Sequence, residues 1–434
     1  MDLQLLVALS IFSVALVTII LEFLDKSLVA MFGAVLMIIL GILNFDEAIG
    51  AINFETLGLL IGMMIIVDLV NSSGVFSWVN VNIARLTGGR PWLIFFVFVL
   101  VTALFSTFLG NVTTVLVIVP IVMTLTKGLG LNSKLFLVAL ILFAIAGGAM
   151  SLIGDPSNII IGSAAKLSFN DFIGHQIIPV SAVMTVLLLI LALSRWEALR
   201  PIAGNLRQLF ISHLLIQKIE QVFGRQEISR LLVVKVLFVL FLTLLGFIFQ
   251  DHLNLPISVI SLTGALVLLI ATTKHASIRE TLEKVEWPTL FFFIGLFIMV
   301  AGLEKVGLLE VVGHGIIGIT DSYLILLLIV LWTAGFVSMV VDNVPFVTIM
   351  IPLIFQIQTS LPADTNSQLL WWALSLGACL GGSGSPIGAS ANVVSIGLAE
   401  KAGVSISLRE YLKIGFPMTV LMLMVASLYF VLVV

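Results

Sequence analysis

Long apolar runs with very little chain between them dominate this sequence. They lie near residues 4–21, 28–43, 56–70, 91–109, 111–127, 134–165, 177–194, 232–249, 256–272, 287–303, 322–341, 344–360, 367–399 and 414–433. A helix crosses the ~30 Å hydrocarbon core of a bilayer with about 20 apolar residues. Barrel strands would instead alternate over ~10 residues, so these runs read as helices. Composition agrees: 60% of the 434 residues are hydrophobic and only 10% are charged. A soluble domain carries roughly 45–50% apolar and about 25% charged residues. The sequence therefore predicts an all-α polytopic membrane protein.

The few charges sort the runs into spans. Residues 91–127 break only at Gly110-Asn111, and residues 322–360 only at Asp342-Asn343. Irregular backbone at membrane depth must be buried in protein or line a wet cavity. If each of these two stretches enters and returns as a re-entrant hairpin, there are ten full spans and both termini lie outside. Eighteen of the 20 basic residues then collect on the cytoplasmic side, with Lys166 and Lys305 outside, as the positive-inside rule requires. Reading 91–127 as one broken span would move the basic stretch from Arg195 to Lys235 outside. Two tight full crossings would give the same sidedness as a hairpin. The 37-residue length favours the hairpin, because two crossings need ~40 residues plus a turn. The first run has no Lys or Arg before it, so it is expected to be a retained span in the cell (inner) membrane.

The two halves of the chain repeat. Gly33 and Gly264 are 231 apart, as are Glu55 and Glu286; Asn111 and Asn343 are 232 apart, as are Pro120 and Pro352; Gly147-Gly148 and Gly381-Gly382 are 234 apart, as are Asn158 and Asn392. Apolar helices rich in Gly and Ile align with almost anything, but the paired Asn positions do not arise that way. The predicted organisation is repeat one over 1–195, an amphipathic cytoplasmic linker over 196–231, and repeat two over 232–434. Five spans per half is an odd number, so the second repeat is expected to be inverted, an architecture of many secondary transporters.

Four polar stretches interrupt the apolar segments: Gly110-Asn111-Val112-Thr113-Thr114, Gly154-Asp155-Pro156-Ser157-Asn158, Asp342-Asn343-Val344-Pro345 and Gly388-Ala389-Ser390-Ala391-Asn392. Gly110, Gly154, Pro156, Pro345 and Gly388 supply the breaks. Broken helices expose N–H groups at one end and carbonyls at the other, which suit anions and cations respectively. Asp155 and Asp342 are the carboxylates most clearly inside the membrane. Such groups are functional candidates by default, although each also reads as an N-cap of its half-helix. Asp155 aligns with Ala389, and Asp342 with Gly110, so the two half-sites are not equivalent. No Lys, Arg or His lies in the four breaks, which favours a cation, a neutral polyhydroxyl solute, or an anion accompanied by Na⁺.

Other features exclude more than they suggest. The single cysteine, Cys379, rules out disulfides and Cys-based zinc sites. A net charge of −3 without a basic stripe gives no reason to expect nucleic acid. The five histidines read as loop or linker residues without metal-type spacing. No nucleophile–base pair or cofactor motif is legible, so neither an enzyme nor a cofactor is expected. A channel would need a continuous polar lining, which these spans do not offer. Asp68 reads as an interfacial charge, and Trp371 and Trp372 as interfacial anchors.

The breaks together resemble the ion transporter superfamily, in the branch of the P-protein and ArsB-type permeases. The resemblance rests on Phe108 to Thr114, Gly147-Gly148 through Asn158, Val341 to Phe346, and Gly381-Gly382 through Val394. It extends through Gly415-Phe416-Pro417 and covers most of the chain. It implies a scaffold domain and a transport domain, a homodimer, and elevator-like motion. It implies one half-site of Asn111, Thr113, Thr114, Asp155, Ser157 and Asn158, and another of Asp342, Asn343, Ser390 and Asn392, with Na⁺ at the Asp155 and Asp342 breaks. P-protein-like sequences commonly carry Asp where Gly110 stands, which puts a symmetric pair of cation sites in doubt. Members move arsenite or antimonite, Na⁺ and H⁺, silicic acid, citrate or dicarboxylates. The expectation is H⁺- or Na⁺-coupled transport of a small inorganic solute, with arsenite/antimonite-type efflux first. A Na⁺/H⁺ antiporter and a Na⁺-coupled dicarboxylate permease follow.

Overall fold

The computed structural model describes residues 3–21, 23–88, 90–194, 230–273, 277–308, 320, 322–362 and 366–434. The expected linker over 196–231 lies almost wholly outside the described residues. Among those described there is no strand. The first half runs α1 (Leu3–Ile20), α2 (Lys26–Ile39), α3 (Phe45–Gly50), α4 (Phe54–Ser72), α5 (Val75–Thr87), α6 (Pro91–Leu109), α7 (Asn111–Gly128), α8 (Ser133–Ala149), α9 (Pro156–Ala165) and α10 (Phe169–Ser194). The second runs α11 (Arg230–Ile248), α12 (Gln250–Leu253), α13 (Ile257–Thr272), α14 (Ile278–Glu283), α15 (Trp287–Lys305), α16 (Tyr323–Ser338), α17 (Asn343–Ser360), α18 (Leu369–Gly381), a 3₁₀ turn (Gly382–Gly384), α19 (Ser390–Lys401) and α20 (Leu408–Val433).

The order of lengths repeats as the sequence does. Helices α3 and α14 have six residues each, α4 and α15 have 19, α7 and α17 have 18, and α10 and α20 have 26. Contacts between halves are reciprocal: α2 packs on α15 and α4 on α13, while α7 packs on α19 and α9 on α17. Exchange of the halves maps each pair onto the other, which is the mark of a two-fold relation. The crossings match in detail. A Cβ on Gly62 would sit 2.6 Å from the Ser261 carbonyl carbon, and one on its mate Gly295 would sit 2.4 Å from that of Ala30. Small residues allow such backbone approach in membrane helices, where packing drives association.

The relation is an inversion. Glu47, at the α4 entry, pairs with Lys305 at the α15 exit (2.6 Å). Asp68, near the α4 exit, pairs with Lys284 just before α15 (3.1 Å). The matching helices α4 and α15 are therefore antiparallel. The second of these ion pairs places Asp68 beside Lys284, which precedes α15 by three positions.

The ten expected spans are present among the described residues as α1, α2, α4, α8 with α9, α10, α11, α13, α15, α18 with α19, and α20. Length alone sorts the helices differently: α6, α7 and α17 are long and apolar enough to cross a membrane, whereas α2 and α13 have only 14 and 16 residues. Contacts separate hairpin legs from spans. The open end of the α6–α7 hairpin is tied to the end of α19, where Lys127 donates to the Ala402 carbonyl. The open end of the α16–α17 hairpin is tied to the start of α18, where Tyr323 Oη donates to the Asn366 carbonyl (2.6 Å). Since α18 and α19 make one broken span, the hairpins open to opposite faces, with their tips between.

Two sequence expectations are corrected. Trp371 and Trp372 are buried, not interfacial; every residue of α18 is enclosed by protein. Of the histidines expected in loops or the linker, His175 lies in α10, stacked on the Trp372 ring at 4.6 Å, and His252 lies in the short helix α12.

Candidate functional site

Both hairpin tips and the α8–α9 break converge on one carboxylate. Asp155 caps α9 and is only 3% exposed. Its Oδ1 accepts from the Ser157 N–H (2.9 Å), Ser157 Oγ (2.6 Å) and Asn343 Nδ2 (3.0 Å). Its Oδ2 accepts from Asn111 Nδ2 (2.8 Å). A carboxylate offers about four lone-pair sites, two on each oxygen; here three neutral donors crowd Oδ1 and one reaches Oδ2. One amide comes from each tip, so the two inverted halves meet at this side chain. Asn111 is held in turn by Ser106 Oγ, which donates to its Oδ1 (2.5 Å).

The tips themselves differ in backbone. Gly110 adopts φ 82° and ψ 158°, a region essentially confined to glycine. Its mate Asp342 has φ −48° and caps α17 through Val344 N–H at 3.3 Å. That geometry accounts for the missing Asp at the first tip: a side chain there would be strained. The carboxylate of Asp342 pairs with Lys26 Nζ at 3.3 Å.

The breaks are fastened by matching asparagines. Asn158 Nδ2 donates to the Ser151 carbonyl (3.0 Å) and lies 3.4 Å from that of Gly148. Asn392 Nδ2 donates to the carbonyls of Ser385 (2.7 Å) and Gly382 (2.8 Å), the mates of those residues. Asn158 Oδ1 accepts from Ser375 Oγ (2.7 Å) and Cys379 Sγ (3.3 Å). Asn392 Oδ1 is buried without a partner, as are Ser338 Oγ and Thr114 Oγ1.

The sequence grouping is thus partly redrawn. Asn111, Asp155 and Ser157 come together as read, and Asn158 fastens the same break from the other side. Asn343 joins them, rather than Ser390 and Asn392. Ser390 is exposed, and Thr113 is half-buried beside the first tip. Gly154 and Gly388 are buried at the bends, while Pro156 and Ser390 begin their half-helices. Pro345 is buried in the first turn of α17. Sequence reasoning missed Lys26. Its signal was available: Lys26 aligns with Ile257 in the repeat, just as Asp342 aligns with Gly110. The structure also amends the reading that the breaks lack cationic residues, since Lys26 supplies an ammonium to the third.

At Asp155 a monovalent cation meets N–H and O–H donors, three on Oδ1 and one on Oδ2, so a full shell of oxygens requires an Asn to turn its Oδ1 inward. Among the described residues no group of three or more His, Cys, Asp or Glu is placed to hold a metal ion.

Comparison with known proteins agrees with this architecture. Residues 16–377 match the citrate transporter family, CitMHS. The chain is 34% identical over 434 residues to a 46 kDa membrane protein of Mycobacterium leprae (strain TN), covering 98% of this chain and 97% of that protein. It is 30% identical over 499 residues to the human P protein, covering 98% of this chain and 59% of the P protein. The YdaH transporter of Alcanivorax borkumensis, a solved structure of unusual topology, has a similar fold, with TM-score 0.61 at 14% identity, covering 95% of this chain and 97% of that one. The chain is a membrane permease rather than an enzyme, and it belongs to the citrate transporter family within the ion transporter superfamily.

Proposed function

We propose that this protein is a secondary active transporter coupled to Na⁺ or H⁺, with Asp155 as a coupling carboxylate and Asp342 as a second. One observation carries the reading: the Asp155 carboxylate is bonded by an amide from each inverted half. A cation arriving there replaces donors with acceptor oxygens and so loosens one tip from the other. That links ion occupancy to the contact between halves, the differential interaction that coupling requires. In this reading α6–α10 and α16–α20 move as a transport unit against a scaffold of α1, α2, α4, α11, α13 and α15, within a homodimer in the inner membrane, both termini outside.

For cargo we propose a small inorganic solute, first an arsenite- or antimonite-type trihydroxide, which the amide and hydroxyl groups of Asn111, Thr113, Thr114, Ser157 and Asn343 suit. A carboxylate cargo, the citrate of the matching family's name, is the second reading. It is favoured by the Lys26 ammonium beside the second tip. The test is a proteoliposome flux panel of arsenite, Na⁺/H⁺ exchange, phosphate, succinate and citrate under imposed H⁺ or Na⁺ gradients. Saturable flux of one solute that is driven by a gradient and lost in Asp155→Asn supports the reading. Linear flux indifferent to both gradients sinks it in favour of a channel.

A further inference from the structure

Lys26 and Asp342 are 316 residues apart; in the proposed reading α2 belongs to the scaffold and Asp342 to a hairpin tip of the transport unit. Their side chains are 38% and 23% exposed. The lysine is a poor choice for its own helix. It is the first residue of α2, where the positive end of the helix dipole disfavours a cation. Its neighbour Asp25 adds a favourable charge, but the Asp25 Oδ1 is engaged by Ser27 through both N–H and Oγ. The ammonium is held over the Phe292 ring instead, 5.2 Å from its centroid, a favourable cation–π placement.

The internal repeat adds a second, independent observation. Helix starts α2 and α13 match, as do α7 and α17, so Lys26 falls on Ile257 and Asp342 on Gly110. Of the two pairings that the repeat relates, that of the α2 start with the α17 tip carries both charges and that of the α13 start with the α7 tip carries neither. They depart from the symmetry as a pair. The bonds at Asp342 are also loose. Its two oxygens have contacts of 3.3 Å, to Lys26 Nζ and Val344 N–H, whereas Asp155 has four donors at 2.6–3.0 Å. Asp342 is the exchangeable carboxylate of the two.

We propose that Lys26 is a built-in competitor for a monovalent cation, Na⁺, at Asp342. Without the cation, the ammonium neutralises the carboxylate and fastens the second tip to the scaffold. When Na⁺ takes the carboxylate, Lys26 is displaced and the tip is released. This inference rests on the reading of Asp342 as a coupling carboxylate.

The experiment titrates the full-length protein in detergent with NaCl against choline chloride and follows thermal stabilisation. The variants are Lys26→Met, Lys26→Arg and Asp342→Asn. Loss of the competitor lowers the half-saturating Na⁺ concentration in Lys26→Met by roughly 1.5-fold to fivefold, the size expected of a partly exposed ion pair. Lys26→Arg retains the competition, and Asp342→Asn loses this part of the Na⁺ response. If Lys26→Met does not fold, Lys26→Gln carries the same expectation. Unchanged half-saturation in the neutral variant, with loss in Asp342→Asn, overturns the competitor role and leaves Asp342 as a cation carboxylate. An unchanged Na⁺ response in Asp342→Asn overturns both.

Discussion

Asp155 and Ala389 hold matching positions at the two broken spans, and their surroundings show what one carboxylate changes. Around Asp155, Ser157, Asn111 and Ser106 form a closed set of hydrogen bonds. Around Ala389 the mates are Ala391, Asn343 and Ser338. Asn343 has turned across to Asp155, and Ser338 Oγ is left without a partner. The first half keeps its site closed upon itself. The second donates its tip to the first and pairs its own carboxylate with Lys26 of α2. A duplicated frame has thus produced two dissimilar polar junctions, one tightly bonded and one open to exchange.

The most severe way to break this comparison is Asp155→Ala. It strands the Ser157 hydroxyl and two amides in a buried site, at a cost of about 3 kcal/mol, and transport is lost. Thermal unfolding and flux on the same preparation check both. Next comes Gly148→Ala. Its Cβ would lie 2.0 Å from Asn111 Oδ1, so the first tip must shift, costing roughly 1–3 kcal/mol. At the mate Gly382 the nearest atom is 3.2 Å away. Gly382→Ala is therefore milder, and equal losses in the two variants would refute the asymmetry. Ser375→Ala makes the first break resemble the second by removing the donor to Asn158 Oδ1 and the acceptor of Gln176 Nε2. It lowers stability by about 1–2 kcal/mol, measurable by denaturant or heat.

The smallest effect concerns the tie between halves made by Glu47 and Lys305. Lys305, with the Asn44 N–H, holds the Glu47 carboxyl below the usual range. A depressed carboxyl contributes stability that is present above its ordinary pKa and is lost as pH falls through the lowered one. The difference in melting temperature between wild type and Glu47→Gln should therefore shrink on acidification below the ordinary carboxylate range. A difference that grows would reverse the sign.

The helical class, the repeat and the four breaks were legible because each depends on local residue type: apolar length, paired Asn, and Gly or Pro at bends. The meeting of Asn343 with Asp155 was not. Aligning the halves assigns each residue to its own half, whereas a two-fold axis brings residues of opposite halves together. Trp371 and Trp372 were misread for a related reason. A helix enclosed by protein and one facing lipid are equally apolar, so hydropathy cannot tell them apart. Lys26 lay in plain view as a break in the repeat, but only the fold brings it to Asp342.

The asparagine fastenings carry a mechanical consequence. Asn158 and Asn392 each pin a bent span to the carbonyls before its bend, so the bends are stiff elbows that pass a load onward instead of yielding to it. Compliance belongs elsewhere. Gly74 and Gly307, mates that leave α4 and α15 with φ of 81° and 75°, stand where each of those helices hands the chain on toward a hairpin. In a machine with braced elbows, those two glycines are its shoulders.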